Sequence, residues 1–315
     1  MNIIVTGAAG FIGSSLCENL LETPTNKIIG IDAFVGPTPK KYSLKNLSAI
    51  INHPRFTFID QNLLSINWKE YLPNIDYIFH LAGMPGVRSS WGKNFEEYSS
   101  YNILATQKLL DAAIDFPIKK LIFASTSSVY GDRNDKVSED TNPKPLSPYG
   151  ITKLTAEHLC HVYRENFQVP IVILRYFTVF GPRQRSDMAF HRFILAMLTG
   201  RPISIFGDGS QSRDFTFIED CVNATASVIT AKNVIGETIN IGGSERQSIK
   251  EVVHFLEDIL NQEAKINFTN QAVGEPKQTW ADISKAEVLL NYKPQTDIKA
   301  GLVKQVEYLK YLYSI

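Results

Sequence analysis

The sequence lacks any surplus of positive charge. Its 315 residues contain 32 lysines and arginines against 32 aspartates and glutamates, so the formal net charge at pH 7 is zero. Proteins that attract nucleic acid or anionic membrane surfaces by long-range electrostatics carry a basic excess. We therefore expect neither nucleic acid nor a membrane as a partner, and any anionic ligand must be held by local groups.

Cysteine is also scarce. The three cysteines, Cys17, Cys160 and Cys221, are odd in number and lie far apart without metal-ligand spacing. This usage indicates a reducing compartment and buried thiols instead of a disulfide framework. His158 and His161 are spaced for one edge of a helix but have no third ligand nearby in the sequence, so no metal site is predicted.

Long hydrophobic runs, internal repeats and low-complexity segments are absent too. No apolar run reaches bilayer length, and the chain starts with a strand-like segment where a signal peptide would have a basic region. Hydrophobic residues make up 44% of the chain, enough for a large core in one elaborated domain or two closely packed ones. We expect a soluble cytoplasmic protein.

Short apolar segments alternate with stretches of helical periodicity. The apolar segments are residues 2–5, 27–31, 55–59, 76–81, 119–124 and 170–176. The helical stretches are residues 11–22, 93–116 and 150–167. Continuous apolar strands are typical of a parallel sheet covered on both faces. The pattern predicts an α/β fold, a Rossmann-type doubly wound parallel sheet with right-handed crossovers.

The pattern changes after Gly181. An arginine-rich loop is followed by predicted helices near 188–199, 247–261 and 297–313 and short strands near 203–206 and 214–217. We predict a Rossmann domain at residues 1–176 with a returning segment near 218–243, which contains the strand ETINI. Residues 177–217 and 244–315 are predicted to form a smaller C-terminal substrate-binding lobe.

A glycine-rich turn follows the first strand. The stretch VTGAAGFIG (5–13) places Gly7, Gly10 and Gly13 between a strand and a helix, where the backbone can approach a pyrophosphate at the helix N-terminus. Asp32 ends the second strand nineteen residues after Gly13, where a carboxylate meets the adenosine ribose. An acidic residue there repels a 2′-phosphate, so the sequence favours NAD over NADP.

A tyrosine and a lysine are paired at the start of a later helix. In SPYGITK (147–153), Tyr149 lies four residues before Lys153 and hence on the same face. An ammonium beside a phenol lowers the phenol pKa from about 10, which suits Tyr149 to act as a general base. The alternative is a tyrosine packed at a helix start beside a solvated lysine. The glycine-rich turn in the same chain favours the catalytic interpretation.

Together with the hydroxyl run FASTSSVYGD (123–132), these motifs make the chain resemble the extended short-chain dehydrogenase/reductase family, specifically its NAD-dependent nucleotide-sugar epimerases and dehydratases. The resemblance extends to HLAG (80–83), YNILAT (101–106), FGPRQR (180–185), FGDGSQSRDF (206–215) and GEP (274–276), and is closest to bacterial UDP-glucuronate 4-epimerases. It implies an NAD cofactor, a UDP-sugar substrate and a homodimer that pairs two helices per subunit.

The resemblance also implies roles for individual residues. The proton-transfer pair becomes Tyr149 and Lys153, and the assisting hydroxyl becomes Thr126. The expected cofactor contacts are Gly7, Gly10, Phe11, Ile12, Gly13, Asp32, Asn62, Leu63, Leu81, Ala82, Gly83, Tyr149, Lys153 and Tyr176. The expected substrate contacts are Arg88, Thr126, Ser127, Ser128, Tyr149, Thr178, Arg185, Arg213 and Glu275. Arg213 is expected at the diphosphate and Glu275 at the uridine ribose.

The residues after Thr126 indicate which reaction of the family to expect. Dehydratases of the family carry Asp and Glu in the next two positions, and UDP-glucuronate decarboxylases carry Glu in the second, whereas this chain has Ser127 and Ser128. Elimination and decarboxylation would lack their acid or base, which leaves oxidation and re-reduction at C4, an epimerisation. We expect UDP-glucuronate as substrate; UDP-glucose is the near alternative, and a decarboxylase or a non-catalytic NAD-binding regulator are more distant ones.

Overall fold

The computed structural model describes residues 1–243 and 245–315. The strands in this part of the chain are β1 (Asn2–Thr6), β2 (Lys27–Asp32), β3 (Phe56–Asp60), β4 (Tyr77–His80), β5 (Lys120–Thr126), β6 (Ile171–Tyr176), β7 (Thr178–Phe180), β8 (Ile203–Phe206), β9 (Ser212–Phe217), β10 (Thr238–Ile241), β11 (Arg246–Ser248) and β12 (Ile266–Thr269). The α-helices are α1 (Phe11–Leu21), α2 (Lys40–Asn46), α3 (Trp68–Tyr71), α4 (Phe95–Tyr98), α5 (Ala105–Ala113), α6 (Pro148–Phe167), α7 (Ala189–Leu198), α8 (Ile218–Ser227), α9 (Ile249–Leu260), α10 (Ser284–Leu290) and α11 (Ile298–Tyr313).

A seven-stranded parallel sheet forms the centre of the protein. Its strand order is β10-β6-β5-β4-β1-β2-β3, and the direction of winding reverses between β1 and β4. In sheets of this kind ligands bind outside the carboxyl ends of the strands at the reversal point. The predicted doubly wound α/β fold is therefore confirmed, and its switch point lies beside the glycine-rich turn.

The apolar runs are explained by burial on both faces of this sheet. All four residues of β4 and all six of β6 are buried. Along β1, Ile3 and Val5 belong to one core cluster while Ile4 belongs to the other. Because successive side chains of a strand point to opposite faces, both layers of helices need apolar partners from the same strand.

The segments after β6 build a smaller lobe and also return to the main sheet. The lobe contains a three-stranded sheet, β11-β9-β7, and the pair β12-β8. The strand β10 pairs in parallel with β6, which brings residues 238–241 back to the edge of the main sheet. The domain boundaries given above remain predictions.

One predicted helix is interrupted. The periodicity at 93–116 predicts a single helix, but α4 and α5 are joined by a π-helical segment, Ser99–Leu104. Such π-bulges change the direction of side chains within a helix and are frequent at functional sites. Here the segment contains Tyr101 and Asn102, which both line a cavity beside the glycine-rich turn.

No helix in residues 1–243 and 245–315 combines the length and apolar character needed to cross a membrane. All three cysteines are buried as thiols.

Candidate active site

The glycine-rich turn lies where backbone segments approach closely. Gly7 has φ +71°, and a Cβ there would lie 2.9 Å from the Ala82 nitrogen. A Cβ on Gly13 would lie 2.0 Å from the Gly7 carbonyl oxygen. Gly10 caps α1 with no side-chain hydrogen bond. Because no side chain caps this helix N-terminus and its first residues line a cavity, its positive dipole end suits a pyrophosphate.

Asp32 lies at the carboxyl end of β2 and is held by the backbone. Its carboxylate accepts hydrogen bonds from the Ala9 nitrogen at 3.0 Å and from the Phe34 nitrogen at 2.7 Å. Burial raises the pKa of Asp32, and these hydrogen bonds oppose the shift. The side chain is thus oriented at the mouth of the cavity, as a ribose-binding carboxylate requires.

A cavity of about 250 Å³ runs along the carboxyl edge of the sheet. It is lined by all the residues that the sequence predicts to contact the cofactor: Gly7, Gly10, Phe11, Ile12, Gly13, Asp32, Asn62, Leu63, Leu81, Ala82, Gly83, Tyr149, Lys153 and Tyr176. Arg185 also lines it, although the sequence predicts this residue as a substrate contact. A side-chain-free turn at one wall and an oriented carboxylate at another fit a dinucleotide such as NAD.

The first turn of α6 places Tyr149 and Lys153 in this cavity. Ser147 caps the helix by accepting from the Gly150 nitrogen at 3.1 Å, and Pro148 occupies the first helical position, as helix starts favour. A Cβ on Gly150 would lie 2.7 Å from the Ser128 carbonyl oxygen. The glycine therefore lets the hydroxyl-bearing turn after β5 pack directly against the start of α6.

Thr126 ends β5 and shapes that turn. Its Oγ1 accepts from the Ser128 nitrogen at 3.2 Å and donates to the Ser128 hydroxyl at 3.3 Å. Burial raises the pKa of Tyr149, while the Thr126 hydroxyl and the charge of Arg185 act against this rise. The pKa-lowering role predicted for Lys153 stays a prediction, and Arg185 is a further cation that acts on the phenol.

Lys153 is buried beside an aromatic ring. Its Nζ lies 4.1 Å from the centroid of the Phe123 ring. Burial lowers the pKa of Lys153 to about 8, with Cys160 and Glu157 opposing the shift. Its ammonium group is therefore close to the titration range of neutral solution, where a small change in its surroundings changes its charge.

Three of the predicted substrate residues meet at a second cluster. The Nε of Arg88 lies 3.0 Å from Glu275 Oε1, and an Nη of Arg213 lies 3.7 Å from Glu275 Oε2. The guanidinium groups of Arg88 and Arg192 lie over the Phe206 ring, 4.6 Å and 5.7 Å from its centroid. Arg192 and Phe206 are not among the residues predicted from the sequence, although Phe206 begins the FGDGSQSRDF motif. Cations around a flat ring suit a nucleoside diphosphate.

Of the other predicted substrate residues, Tyr149 and Arg185 line the cavity, whereas Thr126, Ser127, Ser128 and Thr178 are not among the residues that line it. Arg185 forms a bidentate ion pair with Asp187, both distances being 3.0 Å. Thr178 begins β7 and pairs with Phe215 of β9. Ser127 is buried and Ser128 is half-buried in the turn after β5. Asp187 fixes the plane of the Arg185 guanidinium and is not among the residues predicted from the sequence.

Tyr98 and Asn102 also were not identified as site residues. The Tyr98 hydroxyl contacts the carbonyl oxygens of Pro85 and Gly86 at 2.7 and 2.9 Å. The Asn102 amide bonds both the nitrogen and the carbonyl oxygen of Met84, at 2.7 and 3.0 Å. These bonds fasten the loop after β4 to the interrupted helix. Tyr101, one helical turn from Tyr98, lines the cavity.

Asn102 also explains why residue 83 is a glycine. A Cβ at Gly83 would lie 2.7 Å from Asn102 Oδ1. The smaller residue leaves room for the Asn102 bonds to Met84.

The fold and this site define a dinucleotide-binding α/β enzyme with a tyrosine-lysine pair at its switch point. The model of the NAD dependent epimerase/dehydratase family matches residues 3–242, and the chain belongs to this family. A Bacillus subtilis protein named as an uncharacterized UDP-glucose epimerase, YtcB, is 56% identical over 99% of both chains. A UDP-glucuronate 4-epimerase of Thermodesulfobacterium geofontis is 38% identical, over 98% of this chain and 95% of the relative.

A solved structure is similar over the whole chain. It is the Bacillus cereus UDP-glucuronic acid 4-epimerase in complex with UDP-glucuronic acid and NAD. The two chains are 53% identical and superpose with a TM-score of 0.99, covering 99% of this chain and 100% of the other.

Proposed function

We propose that the protein is an NAD-dependent isomerase that epimerises UDP-glucuronate at C4 to UDP-galacturonate. The observation that carries the proposal is the meeting of Tyr149, Lys153 and Arg185 in one cavity with the glycine-rich turn. The Thr126 hydroxyl lowers the pKa of the same phenol. A general base, a cation and a dinucleotide site are the parts that reversible oxidation of a sugar alcohol requires.

The residues have distinct roles in this proposal. Tyr149, as phenolate, removes the proton of the 4-hydroxyl while Thr126 orients that hydroxyl. A bound NAD would supply the acceptor for the C4 hydride and the donor for its return. Tyr149 then gives the proton back to the oxygen of the inverted centre. Gly7, Gly13 and Asp32 would hold the cofactor.

The surroundings of Thr126 favour epimerisation over the other reactions of the family. Loss of water from the sugar needs an acid for the leaving oxygen and a base for the carbon. Ser127 and Ser128 supply hydroxyl groups in place of such groups. The 4-keto sugar is therefore left to rotate and be reduced on its other face.

The identity of the substrate, UDP-glucuronate, is the more specific part of the proposal. A 4-keto glucuronate is a β-keto acid, which loses carbon dioxide when its C–CO₂⁻ bond aligns with the carbonyl π system. We propose that Ser127, Ser128, Thr178 and Arg185 hold the carboxylate out of that alignment by charge-assisted hydrogen bonds, each contributing roughly 1.5–3 kcal/mol. The position of Arg185 beside Tyr149 in the cavity supports this role.

One experiment tests both parts of the proposal. The purified protein is incubated separately with UDP-glucuronate and UDP-glucose, and sugar products and carbon dioxide are quantified. We expect C4 inversion of UDP-glucuronate, and expect Thr178→Ala and Arg185→His to raise the share of UDP-pentose about tenfold, the effect of about 1.4 kcal/mol. Variants that only slow inversion would rule out the carboxylate role, and preference for UDP-glucose would make the protein a UDP-glucose 4-epimerase.

We further propose a homodimer in the cytoplasm. Apolar side chains remain exposed on the π-helical segment and on one face of α6: Leu104, Ile151 and Val162 are 45%, 51% and 50% exposed. Pairing these faces between two subunits would bury them in a four-helix bundle. Light scattering of the wild type and of Ile151→Glu tests this, since the variant is expected to be monomeric.

A further inference from the structure

A buried ion pair lies beneath the proposed catalytic edge of the sheet. The Arg175 guanidinium bonds both carboxylate oxygens of Glu157, with Nε to Oε1 at 3.0 Å and Nη2 to Oε2 at 2.7 Å. The two side chains are only 6% and 2% exposed. Burying such a pair has a large desolvation cost, and apolar side chains of similar volume are often equally stable in its place. Stability alone is therefore a weak reason for these charges.

The carboxylate joins the helix of the tyrosine-lysine pair to the end of β5. The Ser125 hydroxyl donates to Glu157 Oε1. Ser125 immediately precedes Thr126, whose hydroxyl lowers the pKa of Tyr149. The position of the assisting hydroxyl relative to α6 therefore depends on the bond between Ser125 and Glu157.

The guanidinium extends the same connection to the edge of the sheet. Arg175 Nη1 donates to the Tyr130 hydroxyl at 2.8 Å, and Tyr130 donates to Asn240 Oδ1 at 2.7 Å. Arg175 lies opposite Ser125 in the register of β5 and β6, and Asn240 lies opposite Arg175 in that of β6 and β10. One polar network thus spans three adjacent strand ends and α6.

Glu157 also stands one helical turn beyond Lys153. Tyr149, Lys153 and Glu157 are spaced by four residues each, so they share one face of α6. The Glu157 charge raises the pKa of Lys153 against the lowering effect of burial. Cys160 acts in the same direction, but burial raises the pKa of its own thiol far above neutrality, so it carries no charge.

The other titratable groups around Lys153 do not replace Glu157. Burial lowers the pKa of His80 on β4 to about 3 and raises that of Tyr176 on β6, so both are neutral. Arg185 shares the cavity, but as a cation it cannot raise the pKa of Lys153. Asp32 and Tyr101 line the cavity as well, but neither they nor Tyr149, the base itself, are among the groups that shift the pKa of Lys153.

We propose that Glu157, oriented by Arg175, is a positioning residue of the epimerase that sets the charge of Lys153 and the place of Thr126 relative to Tyr149. The inference rests on the proposed function, because it concerns the rate of the same C4 chemistry. Glu157 and Arg175 contact neither the substrate nor the cofactor in this scheme and act through Lys153 and through Ser125.

Two variants and one control distinguish a positioning role of Glu157 from a role in the stability of the fold. Glu157→Gln removes the charge and keeps the shape. The double variant Glu157→Leu/Arg175→Met replaces the whole pair by apolar groups and stays testable if the single variant fails to fold. The control is Asp220→Asn, because Asp220 is also buried and accepts from the Gln295 and Thr296 nitrogens at 3.0 and 3.1 Å.

The readouts are the pH dependence of kcat and KM with UDP-glucuronate, the bound NAD and thermal unfolding. We expect both Glu157 variants to lower kcat about ten- to hundredfold with little change in KM. The alkaline limb of their kcat profile should move to lower pH, because Lys153 loses its proton at a lower pH without the carboxylate. Asp220→Asn should lower thermal stability and leave the pH profile unchanged.

A wild-type pH profile in both Glu157 variants would overturn the inference. So would a fall in kcat that follows thermal stability with an unmoved alkaline limb, since that pattern marks a structural role. If the wild-type protein inverts no UDP-sugar, the proposed function itself fails, and this outcome is distinguished by the wild-type assay alone.

Discussion

Gly150 offers a test of how closely the hydroxyl turn must approach Tyr149. A Cβ at Gly150 would lie 2.7 Å from the Ser128 carbonyl oxygen and 2.9 Å from Pro145 Cβ. In the Gly150→Ala variant the turn must therefore retreat by about 0.7 Å to reach ordinary contact at 3.4 Å. Because Thr126 belongs to this turn, its hydroxyl moves away from the phenol.

The expected loss is mainly in turnover. A misplacement of about 1 Å in a catalytic group costs up to about 100-fold in rate, so a somewhat smaller shift predicts kcat lower by roughly 10- to 100-fold. Stability should change less. Alanine stabilises a helix by up to about 1 kcal/mol relative to glycine, which partly offsets an overpacking cost of about 1–3 kcal/mol.

The matched control is Gly13→Ala, the same substitution in the cofactor turn. Its Cβ would lie 2.0 Å from the Gly7 carbonyl oxygen, so the helix N-terminus must move and NAD retention should fall. Bound nucleotide after denaturation and kcat per bound NAD are measured for both variants. Gly150→Ala should keep NAD and lose kcat. Wild-type kcat in Gly150→Ala, or NAD loss equal to that of Gly13→Ala, would refute the reasoning.

Three further predictions address the cofactor and the base. Tyr149→Phe should retain NAD and lose nearly all C4 inversion, and a fully active variant would exclude the phenol as base. Asp32→Ala should weaken NAD binding and narrow its advantage over NADP in titrations of the cofactor-stripped protein; unchanged selectivity would place Asp32 away from the ribose. Arg185→Gln should raise the pKa of Tyr149 and move the acid limb of the kcat profile to higher pH, because the phenolate forms later; an unmoved limb would show that Arg185 does not act on the phenol.

Much of the fold can be predicted from the sequence because the rules that form strands and helices act locally along the chain. Apolar runs buried on both faces, such as β6, identify parallel strands, and the helices between them fix the winding. Gly7, Gly13 and Asp32 then fall at the carboxyl edge because parallel strands all end there. Tyr149 and Lys153 meet on one face because a helix repeats every 3.6 residues, a spacing that the sequence shows directly.

The electrostatic partners were decided by tertiary packing. Arg88 and Arg213 meet at Glu275 although long stretches of chain separate them, and no periodicity relates such residues. The interruption of the helix at Ser99–Leu104 turns Tyr101 into the cavity, because a π-bulge alters the register that helical periodicity assumes.

The pKa values of Tyr149 and Lys153 show most clearly what the sequence determines and what the tertiary structure decides. The motif alone identifies Tyr149 and Lys153, since a spacing of four residues is a property of one helix. Which cation lowers the phenol pKa, and which carboxylate supports the lysine, depends on Arg185 and Glu157 reaching those groups. Charges act through space and burial strengthens them, so the tertiary structure decides the pKa values that the sequence leaves open.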